Sequence, residues 1–146
     1  MWEVRYGGCC PKALVLASFE TANGHDIDAL MSFFSDAILI RGPGGQKTEG
    51  KDAVRAQFEA HMTAYPDFHT QVLRQFVDGE HVITECRESS VHTGDVTLAT
   101  GETVAPTGAK VVLDVLYVDR VVDGKIVEST AYFDRHAFLQ QIGQIQ

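Results

Sequence analysis

The clearest signal of the fold is the stretch over residues 110–133, KVVLDVLYVDRVVDGKIVESTAYF. Apolar and polar side chains alternate along both halves of this stretch, which is the period of a β-strand, and Asp123-Gly124 lies between them as a hairpin turn. Residues 69–93, HTQVLRQFVDGEHVITECRESSVHT, repeat the pattern around Asp78-Gly79. The C-terminal half is therefore predicted to be a meander of four long antiparallel strands.

The first half of the chain has the helical period instead. The pattern predicts helices from Pro11 to Asn23-Gly24, after the cap Asp26, and from Gly50 to just before Pro66. A short strand is predicted over 37–41 and a terminal helix over 135–142. Helices followed by long strands predict an α+β domain, a cone-shaped antiparallel sheet curled around the N-terminal helices with an internal pocket. Residues 12–146 are assigned to this domain, and residues 1–11 to an N-terminal extension.

Composition excludes several classes of function. The net charge of −8 disfavours nucleic acid as a partner, since an acidic surface repels phosphates. The sequence lacks an apolar run long enough for a bilayer and a signal-peptide pattern, so a cytoplasmic protein without a membrane partner is expected. Cys9, Cys10 and Cys86 have no zinc-site spacing and are expected to be reduced thiols. We expect neither a metal nor an organic cofactor.

Acidic side chains on strand faces that line the interior are the candidates for chemistry. Strand alternation groups three sets on shared faces, namely Cys86, Glu88, Ser90 and His92; Val112, Asp114, Leu116 and Val118; and Glu128, Thr130, Tyr132 and Asp134. A carboxylate among aliphatic side chains resists ionisation, so its pKa rises toward neutrality and it can exchange protons at working pH.

Each candidate also has a purely structural interpretation. Asp134 lies where a strand meets a helix and could be an N-cap. His92 could be a surface loop residue, and Glu88 a solvated edge residue. Asp114 could point outward and pair with a lysine.

Six short motifs resemble those of the SnoaL-like ester cyclases, a family of the nuclear-transport-factor-two-like superfamily. They are Asn23-Gly24-His25-Asp26, Tyr65-Pro66-Asp67-Phe68, Val91-His92-Thr93-Gly94, Ala105-Pro106-Thr107-Gly108, Asp123-Gly124-Lys125-Ile126-Val127-Glu128, and Asp134 followed by Phe138-Leu139-Gln140-Gln141-Ile142-Gly143. Their order and spacing span roughly residues 12 to 143. The resemblance implies a cone-shaped α+β barrel that forms a homodimer. It also implies cofactor-independent aldol cyclisation, with Asp134 as acid and base.

The leading hypothesis is therefore an enzyme that acts on a small, largely apolar carbonyl compound. Asp134 would be the catalytic acid and base, and His92 and Glu88 would orient or share the proton. The pocket would be lined by Asp114, Leu116, Val118, Tyr132, Phe76, Thr130 and Cys86. Two alternatives remain open: a hydrolase of the epoxide-hydrolase type in the same pocket, and a non-catalytic domain that binds a small molecule or forms a dimer.

Overall fold

The computed structural model describes residues 10–98 and 100–146, and its helices and strands follow the predicted order. The helices are α1 (Pro11–Asn23), α2 (Ile27–Met31), α3 (Lys51–Ala64) and α4 (Arg135–Gln141). The strands are β1 (Phe34–Arg41), β2 (Lys47–Glu49), β3 (His69–Asp78), β4 (His81–Val91), β5 (Val96–Thr97), β6 (Thr103–Val104), β7 (Lys110–Val122) and β8 (Lys125–Phe133). The predicted α+β class, a curved sheet with helices at the N-terminal end, is confirmed.

Six strands form one sheet in the order β2-β1-β8-β7-β4-β3. The four long strands pair antiparallel as a meander, as the alternating pattern predicts. β1 differs, because it pairs parallel with β8 and begins at Phe34, three residues before the predicted strand over 37–41. The chain reaches β8 from β1 only after the whole meander, so this pairing brings the first and last long strands side by side.

Local sequence explains where elements begin and end. Asp26 caps α2 by accepting a hydrogen bond from the backbone N–H of Ala29 at 3.0 Å. Asp123 and Gly124, with φ of 50° and 72°, make the two-residue turn between β7 and β8. Positive φ at both positions is the geometry of a type I′ turn, which suits the twist of the flanking strands.

The core lies between the sheet and the helices. Val15, Leu30 and Val54 from the helices are buried against Ile38 and Ile126 from the strands. Asn23 attaches the end of α1 to β3, because its side-chain amide exchanges two hydrogen bonds with the backbone of Thr70, at 2.7 and 2.8 Å. The helices are thereby held over one face of the sheet.

Gly94 marks a close approach between the segment after β4 and the end of α3. Its N–H donates to the Ala64 carbonyl at 3.0 Å. A Cβ at this position would lie 2.1 Å from the carbonyl oxygen of Thr63, so only glycine fits without moving the backbone. This contact fixes how β4 leaves the sheet beside α3.

The predicted extension over residues 1–11 lies outside the described residues except for Cys10 and Pro11. Pro11 is the first residue of α1, a position that proline favours because it needs no backbone N–H there. No helix in the described part of the chain combines the length and apolarity needed to cross a membrane.

Candidate active site

A cavity of about 340 Å³ lies between the helices and the inward face of the sheet. This volume is near the small end of the range for ligand pockets, roughly 300–1,000 Å³. The apolar side chains of its wall are Phe19, Ala22, Leu30, Phe34, Ile40, Phe58, Phe68, Leu113, Ile126, Ala131, Phe133 and Phe138. A few polar groups interrupt this wall, and they determine what the cavity can do chemically.

Asp119 is a buried acid of the cavity wall. It lies on β7 opposite Ser129 of β8, and only 3% of its surface is exposed. Burial raises the pKa of its carboxyl from 3.8 to about 7, although a hydrogen bond with Ser129 opposes the shift. At neutral pH both protonation states are therefore populated, which is what a general acid and base requires.

Glu88 of β4 and Tyr117 of β7 form a second polar group in the same wall. The Tyr117 hydroxyl donates to Glu88 Oε1 at 2.5 Å. Desolvation raises the pKa of Glu88, while hydrogen bonds from Tyr117 and Thr70 act in the opposite direction. Burial also raises the pKa of Tyr117, so its hydroxyl stays protonated and keeps its hydrogen bond to Glu88. In its protonated form Glu88 can donate a hydrogen bond to an oxygen that gains negative charge during a reaction.

His61 and Tyr65, at the end of α3, face the cavity from the helical side, with ring centroids 5.1 Å apart. Burial, together with the nearby His25, lowers the pKa of His61 to about 4. Burial raises the pKa of Tyr65 to about 12. Both side chains are therefore uncharged at neutral pH.

The cavity opens beside the end of β1 and the turn that follows it. We call this opening the rim, formed by Arg41, Gly42, Pro43, Gln46 and Gln57. Gln46 and Gln57 are exposed, whereas Arg41 is partly buried. The acids therefore lie inside, and the rim carries the amide side chains of Gln46 and Gln57. Arg41 pairs in register with Thr130, so strand alternation directs its side chain to the other face of the sheet.

Of the three predicted catalytic residues, the structure brings only Glu88 into the cavity. Asp134 is exposed, and its Oδ1 accepts from the Ala137 N–H at 2.9 Å as the N-cap of α4. The prediction that Asp134 lies in a dry pocket is therefore wrong, and the capping interpretation holds. His92 is fully buried but outside the cavity wall, and its Nδ1 contacts the Thr107 hydroxyl at 2.9 Å.

Most of the residues predicted to line the pocket lie on the opposite face of the sheet. Leu116, Tyr132 and Phe76 are exposed there, at 38%, 58% and 56%. Val118 and Thr130, a directly opposed pair, share that face by strand alternation and do not line the cavity. The placements of Leu116, Val118, Thr130 and Tyr132 are wrong because β7 and β8 were assigned the wrong inward face. Phe76 lies on β3, in the same row of the outer face as Val118.

Asp114 and Cys86 also lie outside the cavity wall. Asp114 points outward, as one interpretation allowed, and pairs with Arg87 at 2.8 Å rather than with a lysine. Cys86 points inward and is fully buried. Burial, with smaller contributions from nearby acids led by Glu88, raises the pKa of its thiol to about 12. It is therefore an inert core side chain.

Sequence reasoning missed Asp119, Tyr117 and Ser129. The available signal was strand alternation, which puts Asp119 on a face with a single charged side chain, whereas the chosen face also carries Lys110 and Arg120. Within the described residues, no group of three His, Cys, Asp or Glu side chains is arranged to hold a metal ion.

We expect replacement of Asp134 by alanine to lower the free energy of unfolding by about 1 kcal/mol, the usual cost of losing an N-cap. Replacement by asparagine, which also caps helices, should have a smaller effect. Urea denaturation of the three proteins measures both differences. Equal stability of the alanine variant and the wild type would contradict the capping role.

The fold and the cavity define a class: small α+β domains whose curled sheet encloses a pocket with buried acids. A family model described as SnoaL-like polyketide cyclase matches residues 13–142, so the chain belongs to that family. No curated protein sequence matches the chain.

Solved structures share the fold. A protein of Jannaschia sp. CCS1, assigned as a SnoaL-like polyketide cyclase, is 19% identical with a TM-score of 0.81, and the match covers 93% of each chain. IdmH of Streptomyces antibioticus, assigned as a polyketide cyclase, is 23% identical with a TM-score of 0.75, covering 92% of this chain and 99% of that one. An epoxide hydrolase of M. tuberculosis, described as LEH-like, is 18% identical with a TM-score of 0.71, covering 90% of this chain and 88% of that one.

Proposed function

We propose that the chain is an acid/base enzyme that acts on a small, largely apolar carbonyl compound bound in the cavity. One observation carries this proposal: the Asp119 carboxyl is buried in the cavity wall, and its pKa is raised to about 7. If the Asp119 side chain only filled space in the core, an apolar residue at this position would make the folded chain more stable. A group that takes up and releases protons at neutral pH is the feature that proton transfer from carbon requires.

The proposed step begins with removal of a proton from the carbon next to the carbonyl group by the Asp119 carboxylate. The electron pair of the broken C–H bond forms the enolate, and its oxygen accepts a hydrogen bond from protonated Glu88, whose Oε1 accepts the hydrogen bond from Tyr117. Returning the proton to another carbon isomerises the compound. In an aldol closure, the enolate carbon instead attacks a second carbonyl carbon, and the new alkoxide takes the proton held by Asp119.

Hydrogen exchange tests the first half of this step without knowledge of the natural substrate. The probe is 2-naphthylacetone, an apolar ketone whose acidic C–H bonds lie next to the carbonyl. In D₂O the protein should accelerate deuterium incorporation at these carbons, as followed by mass spectrometry. Exchange no faster than in buffer, at ketone concentrations that saturate the cavity in a binding titration, would count against the proposal.

We also propose that a second copy of the chain covers the outer face of the sheet. Five side chains form a contiguous apolar patch there, the outer patch: Phe76, Ile83, Leu116, Val118 and Tyr132. Two ion pairs border it: Arg74 with Glu85, which lies directly opposite Leu116, and Arg87 with Asp114 in the next row. A large exposed apolar patch with a polar border is typical of a protein interface.

Sedimentation equilibrium should give twice the chain mass of 16.0 kDa for the wild type. Leu116→Glu should reduce this to the mass of one chain, because it would bury a charge at the centre of the outer patch. Val77→Glu is the matched control, since Val77 is an exposed aliphatic residue near the end of β3 and not part of the patch. A monomeric wild type, or a dimeric Leu116→Glu variant, would refute this interface.

A further inference from the structure

We infer that the cavity also takes a second class of ligand, apolar amines in their protonated form, whose ammonium group pairs with the Asp119 carboxylate beside aromatic rings. Such a compound would occupy the place of the carbonyl substrate and hold the proposed base, so it would be a competitive inhibitor. This site goes beyond the proposed function and shares with it only the cavity. The charges and the rings of the cavity wall point to such a ligand.

Two acids, Glu88 and Asp119, line the cavity. In the described part of the chain, no nitrogen of a lysine, arginine or histidine lies within 4.0 Å of either carboxyl. His61 lines the cavity but is uncharged at neutral pH, because burial lowers its pKa to about 4. Arg41 belongs to the outer face of the sheet by its register with Thr130. A positively charged ligand would therefore meet two acids and, among the described residues, no like charge.

Asp119 is the acid that has more to gain from such a ligand. Tyr117 and Thr70 both donate hydrogen bonds to the Glu88 carboxyl. At Asp119 the Ser129 hydroxyl is the one side-chain partner that the described residues provide. A buried carboxylate that has lost its water needs further donors or an opposite charge. An ammonium group supplies three N–H donors and a full positive charge.

The aromatic side chains of the wall favour a cation as well. Six phenylalanines and two tyrosines line the cavity. Tyr117 lies two positions from Asp119 on the inward face of β7, and Phe19 packs on its ring with centroids 5.1 Å apart. The faces of aromatic rings carry partial negative charge and attract ammonium groups within about 6 Å. A carboxylate bordered by aromatic rings therefore favours an organic ammonium over a neutral compound of the same shape.

The apolar side chains of the wall determine what the rest of the ligand must be. They contribute to binding only when the amine brings apolar surface of its own. A metal ion is not an alternative occupant within the described residues, since no group of three His, Cys, Asp or Glu is arranged to hold one. The expected ligand is thus an amine with an aryl or alkyl body that fits into about 340 Å³.

The groups around Asp119 leave its own ionisation in control of amine binding. Five other titratable side chains lie near it in or behind the wall: Glu88 and Cys86 from β4, Tyr117 from β7, and His61 and Tyr65 from α3. Burial raises the pKa of the thiol and of both phenols and lowers that of the histidine, so these four are largely uncharged between pH 5 and 8. The described residues of α1, α2, β3, β8 and α4 add no titratable side chain to the wall. The pKa of Glu88 is also raised, and Glu88 is present in both proteins compared below.

Two probes with the skeleton of 2-naphthylacetone test the inference by isothermal titration calorimetry: 1-(2-naphthyl)propan-2-amine and the neutral 1-(2-naphthyl)propan-2-ol. At pH 8 we expect the wild type to bind the amine roughly ten- to a hundredfold more tightly than the alcohol, the range for hydrogen bonds to charged groups. Saturating 2-naphthylacetone should weaken amine binding, because both compounds would occupy the same cavity.

The pH dependence of the preference follows from Asp119. Its pKa is about 7, so at pH 5 the carboxyl is mostly protonated and must release its proton to pair with the amine. The amine itself, like lysine with a pKa of about 10, stays charged over this range. The preference should therefore be nearly absent at pH 5, rise through pH 7 and level off above pH 8. At pH 6, titrations in two buffers of different ionisation enthalpy should show that about one proton is released per amine bound.

Asp119→Asn should remove the preference for the amine at every pH, because asparagine carries no charge. Asp114→Asn is the matched control and should keep it, since Asp114 is an aspartate of the same strand that pairs with Arg87 outside the cavity. Circular dichroism of each variant establishes that it is folded, and the comparison of the two probes on the wild type does not depend on any variant.

Equal affinity for the amine and the alcohol at pH 8, a preference that is the same at pH 5 and pH 8, or a preference that survives Asp119→Asn would overturn the inference. Amine binding that saturating ketone does not weaken, or no binding at millimolar concentration, would overturn it as well. Amine-selective binding by a protein that exchanges no ketone would remove the proposed chemistry and leave the ammonium site. Exchange without a preference for the amine would do the opposite.

Discussion

Asp119→Asn is expected to slow the protein-catalysed deuterium exchange of 2-naphthylacetone by about 10²–10⁴-fold. Asparagine has nearly the same shape as aspartate and can still form a hydrogen bond with Ser129, so the cavity should keep its form. It carries no charge and cannot accept a proton from carbon, so the change removes the proposed base. Initial rates of deuterium incorporation, measured by mass spectrometry for both proteins at equal ketone occupancy, give the ratio.

The pH dependence of the same reaction distinguishes a base from a side chain that only shapes the cavity. Because the pKa of Asp119 is about 7, wild-type exchange should rise with pH through neutrality and level off above it. The exchange rate of the asparagine variant should not rise with pH in this range. Asp134→Asn is the matched control and should exchange like the wild type, since Asp134 is exposed and caps α4. A fast Asp119→Asn variant would exclude Asp119 as the base.

The elements of this fold could be predicted because each has a local signal. Asp26 and Gly50 mark the starts of two helices, and Pro66 marks the end of one. Two Asp-Gly pairs mark the hairpin turns, so the predicted bounds of the long strands are correct within a residue or two. The parallel pairing of β1 with β8 has no local signal. It depends on how far the sheet curls, and that is settled by packing across the whole domain.

The inward face of β7 was predicted wrongly, although strand alternation carries a signal for it. Alternation identifies the buried face when the other face is more polar. One face of β7 has three charged side chains, Lys110, Asp114 and Arg120, whereas the other has only Asp119 among Val111, Leu113, Val115, Tyr117 and Val121. Leu116 and Val118 of the outer patch give the more charged face apolar residues of its own. The prediction of Asp114 rather than Asp119 followed these apolar residues and overlooked the charges.

The inward face of β8 was also predicted wrongly, because the register between β7 and β8 fixes the inward face of one strand once that of the other is chosen. Leu116 pairs with Tyr132 and Tyr117 pairs with Ala131, so an inverted face on one strand inverts the other. β4 was assigned correctly at Glu88 and Cys86, since its outward face carries the charged pair Glu85 and Arg87. The candidate site was thus predictable on β4 and, from the distribution of charges, on β7, whereas the inward face of β8 follows only from its register with β7.

A second large effect is expected in the pH dependence of stability. The folded-state pKa of Asp119, about 7, lies above its ordinary value of 3.8, so the folded chain holds this proton more tightly than the unfolded chain does. The stabilisation is fully present below about pH 4 and is lost as the pH rises through 7. Between pH 5 and 8 the wild type should lose roughly 3 kcal/mol of unfolding free energy relative to Asp119→Asn, which does not titrate.

Urea denaturation of both proteins at several pH values measures this difference, and the subtraction removes the contributions of groups they share, including Glu88. The gap between the two proteins should widen steadily between pH 5 and 7 and become constant above about pH 8. A gap independent of pH would mean that Asp119 ionises as easily in the folded chain as in water, and such a carboxylate would be far too weak a base to remove a proton from carbon. Above neutral pH, Asp119→Asn should therefore gain stability relative to the wild type and lose exchange activity for one reason: it lacks the buried carboxyl of Asp119, whose ionisation is unfavourable in the folded chain.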